Sequence, residues 1–166
     1  MKIAFGGKMG VGKSTAAQYL HKKIPHSQIV SFSEPIYNIL HHAQNITNQT
    51  LQKDRQFLQF IGTEWGRNID PQIWINILLQ KTVEPYNYFL SDIRFDNELQ
   101  SLKENGWICI LIEKENNPDC QFSQHSSETS IDHITRDKWD FIINNNFTKQ
   151  NLYFLLDNIL DHLKKI

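Results

Sequence analysis

The stretch GGKMGVGKST (6–15) follows the short apolar run Ile3, Ala4 and Phe5 near the start of the chain. Residues 7–14 match G-x-x-x-x-G-K-[ST] at every position, between a predicted strand and a predicted helix. Glycines let successive backbone N–H groups turn toward a phosphate, and the N-terminus of the following helix adds partial positive charge. The stretch therefore predicts a loop that binds a nucleoside triphosphate. We call residues 7–14 the phosphate loop.

The side chains of this loop have separate expected roles. Lys13 is suited to bridge the β- and γ-phosphate oxygens, and the Ser14 hydroxyl is suited to ligate Mg²⁺. GTPases use the same loop, but the chain contains neither Asp-x-x-Gly nor Asn-Lys-x-Asp, which favours a small kinase. The residues expected to contact ATP are Gly7, Gly10, Val11, Gly12, Lys13, Ser14 and Thr15.

Composition narrows the classes of protein that the chain can form. Its 166 residues carry a formal net charge of −1 and suit a single domain, 1–166. A near-neutral balance argues against broad nucleic-acid binding, and no apolar run approaches the roughly 20 residues of a membrane span. Cys109 and Cys120 lack metal spacing and are too few for a disulfide framework. We expect a cytoplasmic protein, in the host cytoplasm if its source is viral, with a homodimer left open.

Strand and helix patterns alternate along the chain. Strands are predicted at 3–5, 28–32, 86–93, 107–113 and 140–146. Helices are predicted at 13–23, after Pro35, and at 52–61, 72–81, 97–104 and 149–165. This alternation predicts a parallel, doubly wound α/β sheet. The polar stretch 114–133 has almost no periodicity and is interpreted as a mobile functional loop.

A carboxylate and a guanidinium follow the third predicted strand. Asp92 ends an apolar run, at the position where a second-sphere Mg²⁺ ligand would lie beside the phosphate loop. Arg94 lies two residues further and would project from the same face. A structural ion pair at the strand end is the alternative.

The segment 53–74 carries a second group of candidate residues. On a helix, Arg55, Gln59 and Thr63 fall on one polar stripe. The stretch that follows brings Glu64, Trp65, Arg67 and Asp70 close together between glycines. Arginine forks suit phosphate and tryptophan suits stacking on a base, which predicts substrate binding. The alternative is a solvated helix face followed by a loop.

Five stretches together resemble the phage-type deoxynucleoside monophosphate kinases of the P-loop nucleotide kinase group. They are GGKMGVGKST, SFSEPI (31–36), LQFIGTEWGR (58–67), SDIRFDNE (91–98) and HSSE (125–128). The resemblance implies a three-layer fold with a five-stranded parallel sheet, helices on both faces and a lid. It implies ATP- and Mg²⁺-dependent phosphorylation of a deoxynucleoside monophosphate. Ser33 and Glu34 would then lie at the monophosphate site with Arg55, Gln59, Thr63, Glu64, Trp65, Arg67 and Asp70.

Two segments would then carry substrate binding and closure. A helical monophosphate-binding segment is expected at about 34–82, and a lid at about 114–135. Lys114 stands where the family pattern has an arginine, and Arg136 is the nearest other cation. The remaining lid candidates are His125, Ser127 and Glu128, and Asn144 and Asn145 could approach the ATP base.

The expected chemistry needs cations more than a general base, because the attacking phosphate monoester is already anionic. We assign Lys13, Asp92 and Arg94 to catalysis, with Ser14 and Asp92 at the metal. Two alternatives stay open: a kinase of a small metabolite such as dephospho-coenzyme A or phosphomevalonate, and a nucleotide-binding switch with little turnover.

Overall fold

A five-stranded parallel sheet organises the chain, in the strand order β2-β3-β1-β4-β5. The computed structural model describes residues 1–115 and 130–165. The strands are β1 Lys2–Gly6, β2 Ser27–Val30, β3 Asn87–Ile93, β4 Ile108–Glu113 and β5 Phe141–Asn144. The predicted fold class, a parallel α/β sheet with helices on both faces, is confirmed.

Helices of several kinds connect these strands. The α-helices are α1 Lys13–Lys23, α2 Glu34–Ile46, α3 Arg55–Gln59, α4 Gly66–Ile69, α5 Ile73–Lys81, α6 Asp96–Glu104 and α7 Lys149–Leu163. A π-helix, Phe60–Trp65, joins α3 to α4, and two 3₁₀ turns, Ser130–His133 and Arg136–Lys138, precede β5. In the described ranges, no helix is long and apolar enough to cross a membrane.

The central strand β1 faces two hydrophobic cores. Ile3 and Phe5 pack into the core that contains α1 and α7, whereas Ala4 packs into the core on the other face. The second core includes Ile36 of α2 and Trp74 of α5. This alternation follows from the twofold side-chain period of a strand whose two faces are both covered.

Strand pairing brings two functional segments to the same edge of the sheet. β1 pairs in parallel with β3 on one side and with β4 on the other. At the carboxyl end of β1, Gly6 lies opposite Ile93. The loop after β1 and the Asp92 region of β3 therefore meet where ligands of open α/β sheets bind.

Two predicted strand boundaries were wrong. The prediction for β2 ran to residue 32, but the strand ends at Val30, and the N–H groups of Phe32 and Ser33 donate to Asp92 instead of to a neighbouring strand. The fifth strand ends at Asn144 instead of residue 146. Beyond it, the side chain of Asn145 turns to the phosphate loop, where its amide donates to the Val11 carbonyl at 2.8 Å.

Helical periodicity was predicted to end at about residue 61, but the chain continues as helix beyond it. Asp54 caps α3 by accepting from the Phe57 N–H at 3.0 Å, and the chain stays helical to Ile69. The wide π turn presents the Gly62 carbonyl to the buried indole of Trp74, whose N–H donates to it at 2.8 Å. Such π-helical turns often occur at functional sites.

Gly66 allows the indole of Trp74 to lie directly against the helix. A Cβ at Gly66 would overlap the Trp74 ring and approach the Ile61 carbonyl oxygen to 2.8 Å. We expect Gly66→Ala to lower the free energy of unfolding by about 1–3 kcal/mol, because the packed indole cannot move aside. Urea denaturation measures this change, with exposed Gln56→Ala of α3 as the matched control. Equal stabilities of the two variants would contradict the packing argument.

Candidate functional site

The loop between β1 and α1 is curled by three glycines with positive φ. These angles are 132° at Gly7, 79° at Gly10 and 105° at Gly12, a region that favours glycine. A cavity of about 480 Å³ opens over the loop. Of the residues predicted to contact ATP, Gly7, Gly10, Gly12, Lys13, Ser14 and Thr15 line this cavity. Val11 is buried beneath the loop in the core.

Neighbouring elements hold the phosphate loop in its curled form. The Lys13 ammonium donates to the carbonyls of Gly7 and Lys8, both at 2.6 Å, so it reaches back across the loop. The Asn145 amide tethers the Val11 carbonyl from beyond β5. Lys8 forms an ion pair with Asp132 at 2.9 Å, which connects the loop to the first 3₁₀ turn. Sequence reasoning had considered Asn145 for the ATP base and missed its contact with the loop.

Asp92 connects β3 to the segment between β2 and α2. Its carboxylate accepts from the Ser31 hydroxyl at 2.6 Å and from the backbone N–H groups of Phe32 and Ser33 at 3.2 and 3.1 Å. The Ser31 and Ser33 hydroxyls are themselves 2.6 Å apart. Asp92 thus fixes Ser33 at the entrance to α2.

The predicted pairing of Asp92 and Arg94 has a different geometry from the one expected. β3 ends at Ile93, so Arg94 lies just beyond the strand and not on a continuing face. Both side chains nevertheless line the phosphate-loop cavity. They also line a second cavity of about 210 Å³.

This second cavity lies beside the phosphate-loop cavity. We call it the acceptor cavity, because it contains residues predicted to bind the monophosphate that would accept the phosphoryl group. Met9, Ser33, Asp92 and Arg94 line both cavities. The acceptor cavity also collects the predicted residues Arg55, Gln59, Thr63 and Arg67. Its apolar wall consists of Phe32, Ile36, Leu58, Trp74 and Phe95.

Arg67 is held on several sides at the back of the acceptor cavity. Its guanidinium pairs with the Glu98 carboxylate, and the two side chains are only 12% and 4% exposed. It lies over the Phe95 ring with its central carbon 3.8 Å from the ring centroid. Its other terminal nitrogen donates to the Asn97 side-chain oxygen at 3.3 Å and to the Pro71 carbonyl at 3.4 Å. Arg67 therefore forms a fixed wall of the cavity.

Glu98 is the buried carboxylate that sequence reasoning missed. One oxygen accepts from Arg67, and the other accepts from the backbone N–H groups of Arg94 and Phe95 at 2.7 and 3.0 Å. Burial raises the pKa of Glu98 to about 7, against the opposing effect of the Arg67 charge. Burial also lowers the pKa of Arg67. A glutamate in the first turn of a helix predicts a capping contact, but its pairing with Arg67 depends on the tertiary structure.

Four other predicted substrate residues lie outside the lining of these cavities. Glu34 is exposed and pairs with Lys81 at 3.1 Å. Glu64 is exposed, and the Trp65 side chain lies on the surface at 43% exposure. The Asp70 carboxylate accepts from the Gln72 N–H at 2.8 Å, which stabilises the turn into α5. The structure instead adds Tyr37 and Lys53 to the acceptor cavity.

The lid prediction is only partly within the described residues. His125, Ser127 and Glu128 lie outside them. Lys114 and Arg136 line a third cavity, of about 320 Å³, on the β4 side of the phosphate loop. Arg136 pairs there with Glu113 at the end of β4.

The donor set beside the phosphate loop fits a magnesium ion that is bound together with nucleotide phosphates. Ser14 and Asp92 line the same cavity, and Mg²⁺ prefers oxygen ligands. Both carboxylate oxygens of Asp92 already accept hydrogen bonds, which suits contact with the ion through water. Within residues 1–115 and 130–165, no group of three His, Cys, Asp or Glu side chains could hold a metal without such phosphates.

We expect Arg67→Met to destabilise the protein more at high pH than at low pH. Glu98 ionises near 4.5 when unfolded and near 7 when folded, so the free energy of unfolding falls as pH rises across this interval. Without the Arg67 charge the pKa of Glu98 rises further, and the loss continues above pH 7. The penalty should reach about 3 kcal/mol near pH 8 and be smaller near pH 5.5.

Urea denaturation of the wild type and Arg67→Met at both pH values measures this difference. In a Glu98→Gln background no carboxylate titrates at this position, so the same Arg67→Met penalty should not vary with pH. A pH-independent penalty with Glu98 intact would contradict the assigned pair.

Comparisons with known proteins identify the family. The family model described as deoxynucleotide monophosphate kinase matches residues 52–155. ORF77 of Ictalurid herpesvirus 1 (strain Auburn), an uncharacterized protein, is 31% identical over 138 residues, covering 78% of this chain. The chain spans 58% of the length of that relative. A deoxynucleotide monophosphate kinase candidate of Acanthamoeba polyphaga mimivirus is 26% identical over 192 residues, covering 97% of this chain and 96% of the relative.

Solved structures show the same fold at low sequence identity. Shikimate kinase from Acinetobacter baumannii, in complex with shikimate, superposes with a TM-score of 0.57 at 16% identity, covering 99% of this chain and 93% of that one. Dephospho-CoA kinase from Campylobacter jejuni gives 0.57 at 18% identity, covering 99% and 98%. The sheet with its phosphate loop is thus a P-loop kinase fold, as predicted. With the family model matching well over half of its length, the chain belongs to the deoxynucleotide monophosphate kinase family.

Proposed function

We propose that the protein transfers the γ-phosphoryl group of ATP to the phosphate of a deoxynucleoside 5′-monophosphate, giving the diphosphate and ADP. The observation that supports this proposal most directly is that the two cavities adjoin and have residues of their lining in common. The phosphate-loop cavity and the acceptor cavity share Met9, Ser33, Asp92 and Arg94. Two phosphorylated ligands bound in them would therefore meet at one edge.

The chemistry at this edge needs charge compensation and alignment. The acceptor phosphate oxygen is already anionic near neutral pH, so it attacks the γ-phosphorus without a general base, and the bond to the bridging β–γ oxygen breaks. The transition state spreads charge over the transferring group. Mg²⁺, when bound, supplies additional neutralisation of the phosphate oxygens. Lys13 and Arg94 act as the fixed cations of the protein on the donor side and at the shared edge.

The acceptor cavity offers further cations to the monophosphate. Lys53 and Arg55 line this cavity with Arg94, and the charge of Arg67 is compensated by Glu98. We assign the acceptor phosphate to Arg94, which lines the edge that both cavities share, and to Arg55 in the acceptor cavity, with Arg67 as a wall behind them. The apolar side chains of Trp74, Leu58 and Ile36 suit contact with a base or sugar.

The segments predicted for binding and closure remain part of this proposal. Residues 34–82 contribute α2 and the π-helix to the acceptor cavity, which suits a monophosphate-binding segment. Closure over the transferring group excludes water, which would otherwise hydrolyse ATP. We assign this role to the stretch 114–135, which leads from Lys114 to the Lys8–Asp132 ion pair.

A coupled assay of ADP formation tests the proposed activity. We expect at least one deoxynucleoside monophosphate to raise ADP formation about 100-fold or more above ATP hydrolysis alone. Lys13→Ala should lower this rate by about a thousandfold or more, because one preorganised cation at the transferring phosphate is lost. Its circular dichroism should match the wild type, since Lys13 lines a cavity and lies outside both cores.

The same assay separates the alternatives. Stimulation by dephospho-coenzyme A or phosphomevalonate, and by no deoxynucleotide, would replace the proposed substrate class. ATP binding that no acceptor stimulates would contradict the proposed transfer altogether.

The assignment of the acceptor phosphate predicts the effect of losing Arg55. We expect Arg55→Gln to raise the KM of the monophosphate about tenfold or more, because a charge-assisted contact contributes about 1.5–3 kcal/mol. The KM of ATP should stay nearly constant, since Arg55 lies in the acceptor cavity alone of the two. Lys81→Gln on α5 is the matched control, because Lys81 pairs with Glu34 on the surface. An unchanged acceptor KM in Arg55→Gln would remove this residue from the site.

A further inference from the structure

Glu98 is buried where its carboxylate contacts two segments that each carry an arginine. Its side chain is 4% exposed and points back from the first turn of α6. One oxygen meets the Arg67 guanidinium, and the other accepts the N–H of Arg94 at 2.7 Å. Arg67 comes from α4 and Arg94 follows β3, so these residues are otherwise fixed by separate elements.

Phe95 completes a clamp around Arg67. The centroid of the Phe95 ring lies 3.8 Å from the central carbon of the guanidinium. The Phe95 N–H donates at 3.0 Å to the Glu98 oxygen that also accepts the Arg94 N–H. Arg67 is thus held by an aromatic face below and a carboxylate at its edge. Arg94, which lines both cavities, begins at the backbone that this carboxylate holds.

We propose that Glu98 is a positioning residue for phosphoryl transfer. It holds the Arg67 guanidinium and the Arg94 backbone in the positions that align the acceptor phosphate with the phosphate loop. This inference rests on the proposed function. When reacting atoms must be aligned, a displacement of about 1 Å in the groups that position them can lower the rate about a hundredfold.

The competing explanation is that Glu98 only caps α6. A helix cap contributes about 0.5–2 kcal/mol to stability and predicts no selective change in acceptor binding. A positioning role predicts a selective change, because Arg67, whose guanidinium Glu98 holds, lines the acceptor cavity and not the phosphate-loop cavity. The two explanations therefore differ in the ratio of the acceptor KM to the ATP KM.

Glu98→Gln is the decisive variant. Arg67 and the Arg94 N–H donate to different oxygens of Glu98, and the amide of the same size has an NH2 group in place of one of them, so it cannot accept from both donors. We expect the acceptor KM to rise about tenfold with a lower kcat, and the ATP KM to stay within about threefold. Glu104→Gln at the exposed end of the same helix should leave all three constants unchanged.

A double variant tests whether Glu98 acts through Arg67. If it does, Glu98→Gln combined with Arg67→Gln should raise the acceptor KM no more than the larger single effect, because both changes release the same clamp. Fully additive effects would overturn the inference. So would a Glu98→Gln enzyme with a lowered Tm and an unchanged acceptor KM, which is the result that capping alone predicts.

A second variant covers the case in which Glu98→Gln does not fold. Arg67→Lys keeps the charge, but an ammonium cannot both lie flat on Phe95 and present a fork to Glu98. We expect it to raise the acceptor KM about tenfold as well. An unchanged value would overturn the inference. A wild-type enzyme that phosphorylates no deoxynucleotide would instead remove the proposed function, and the inference with it.

Discussion

The carboxylate of Asp92 accepts hydrogen bonds from the Ser31 hydroxyl and from the N–H groups of Phe32 and Ser33. These contacts end β2 and set the start of α2, so one side chain fixes both the edge of the sheet and the entrance to the helix above it. Because β1 and β3 are paired, the same carboxylate lies beside the phosphate loop. The wall shared by the two cavities depends on this arrangement. A different end for β2 would move Ser33 and separate the two cavities.

A second carboxylate has a comparable role deeper in the protein. Glu98 accepts from Arg67 and from two backbone N–H groups at the end of β3. A buried charge is tolerated when each oxygen is hydrogen-bonded and a counter-ion is present, and both conditions hold here. Asp92 lies near the end of β3 and Glu98 in the first turn of α6, on either side of the two-residue connection formed by Arg94 and Phe95. Glu98 accepts the N–H of Arg94, and this residue lines both cavities.

Local signals explain what could be predicted from the sequence. The phosphate loop depends on glycines and a lysine within a few residues, and α1 begins and ends where its pattern indicated. The sheet followed from alternating apolar runs.

The π-helix could not be predicted, because it depends on Trp74, a residue of a later helix, meeting the Gly62 carbonyl. Trp65 suggested base stacking by its type, yet its side chain lies on the surface and lines neither of the two cavities. Arg67 was found by its type, whereas its partner Glu98 became visible only in the folded chain.

A formal net charge of −1 is compatible with the two anionic ligands that we propose, because cationic side chains are gathered in one cavity. The acceptor cavity is lined by four cationic side chains and by two carboxylates. Both carboxylates are occupied by protein donors, so neither is turned toward a ligand as an uncompensated charge. Glu98 pairs with Arg67, which compensates the charge of that guanidinium inside the protein, and Arg94 lines the edge that both cavities share. In the proposed activity, such a local arrangement supplies phosphate affinity from a few side chains and does not need the broadly basic surface that binds nucleic acid. It also concentrates positive charge where two phosphate groups would repel each other most strongly.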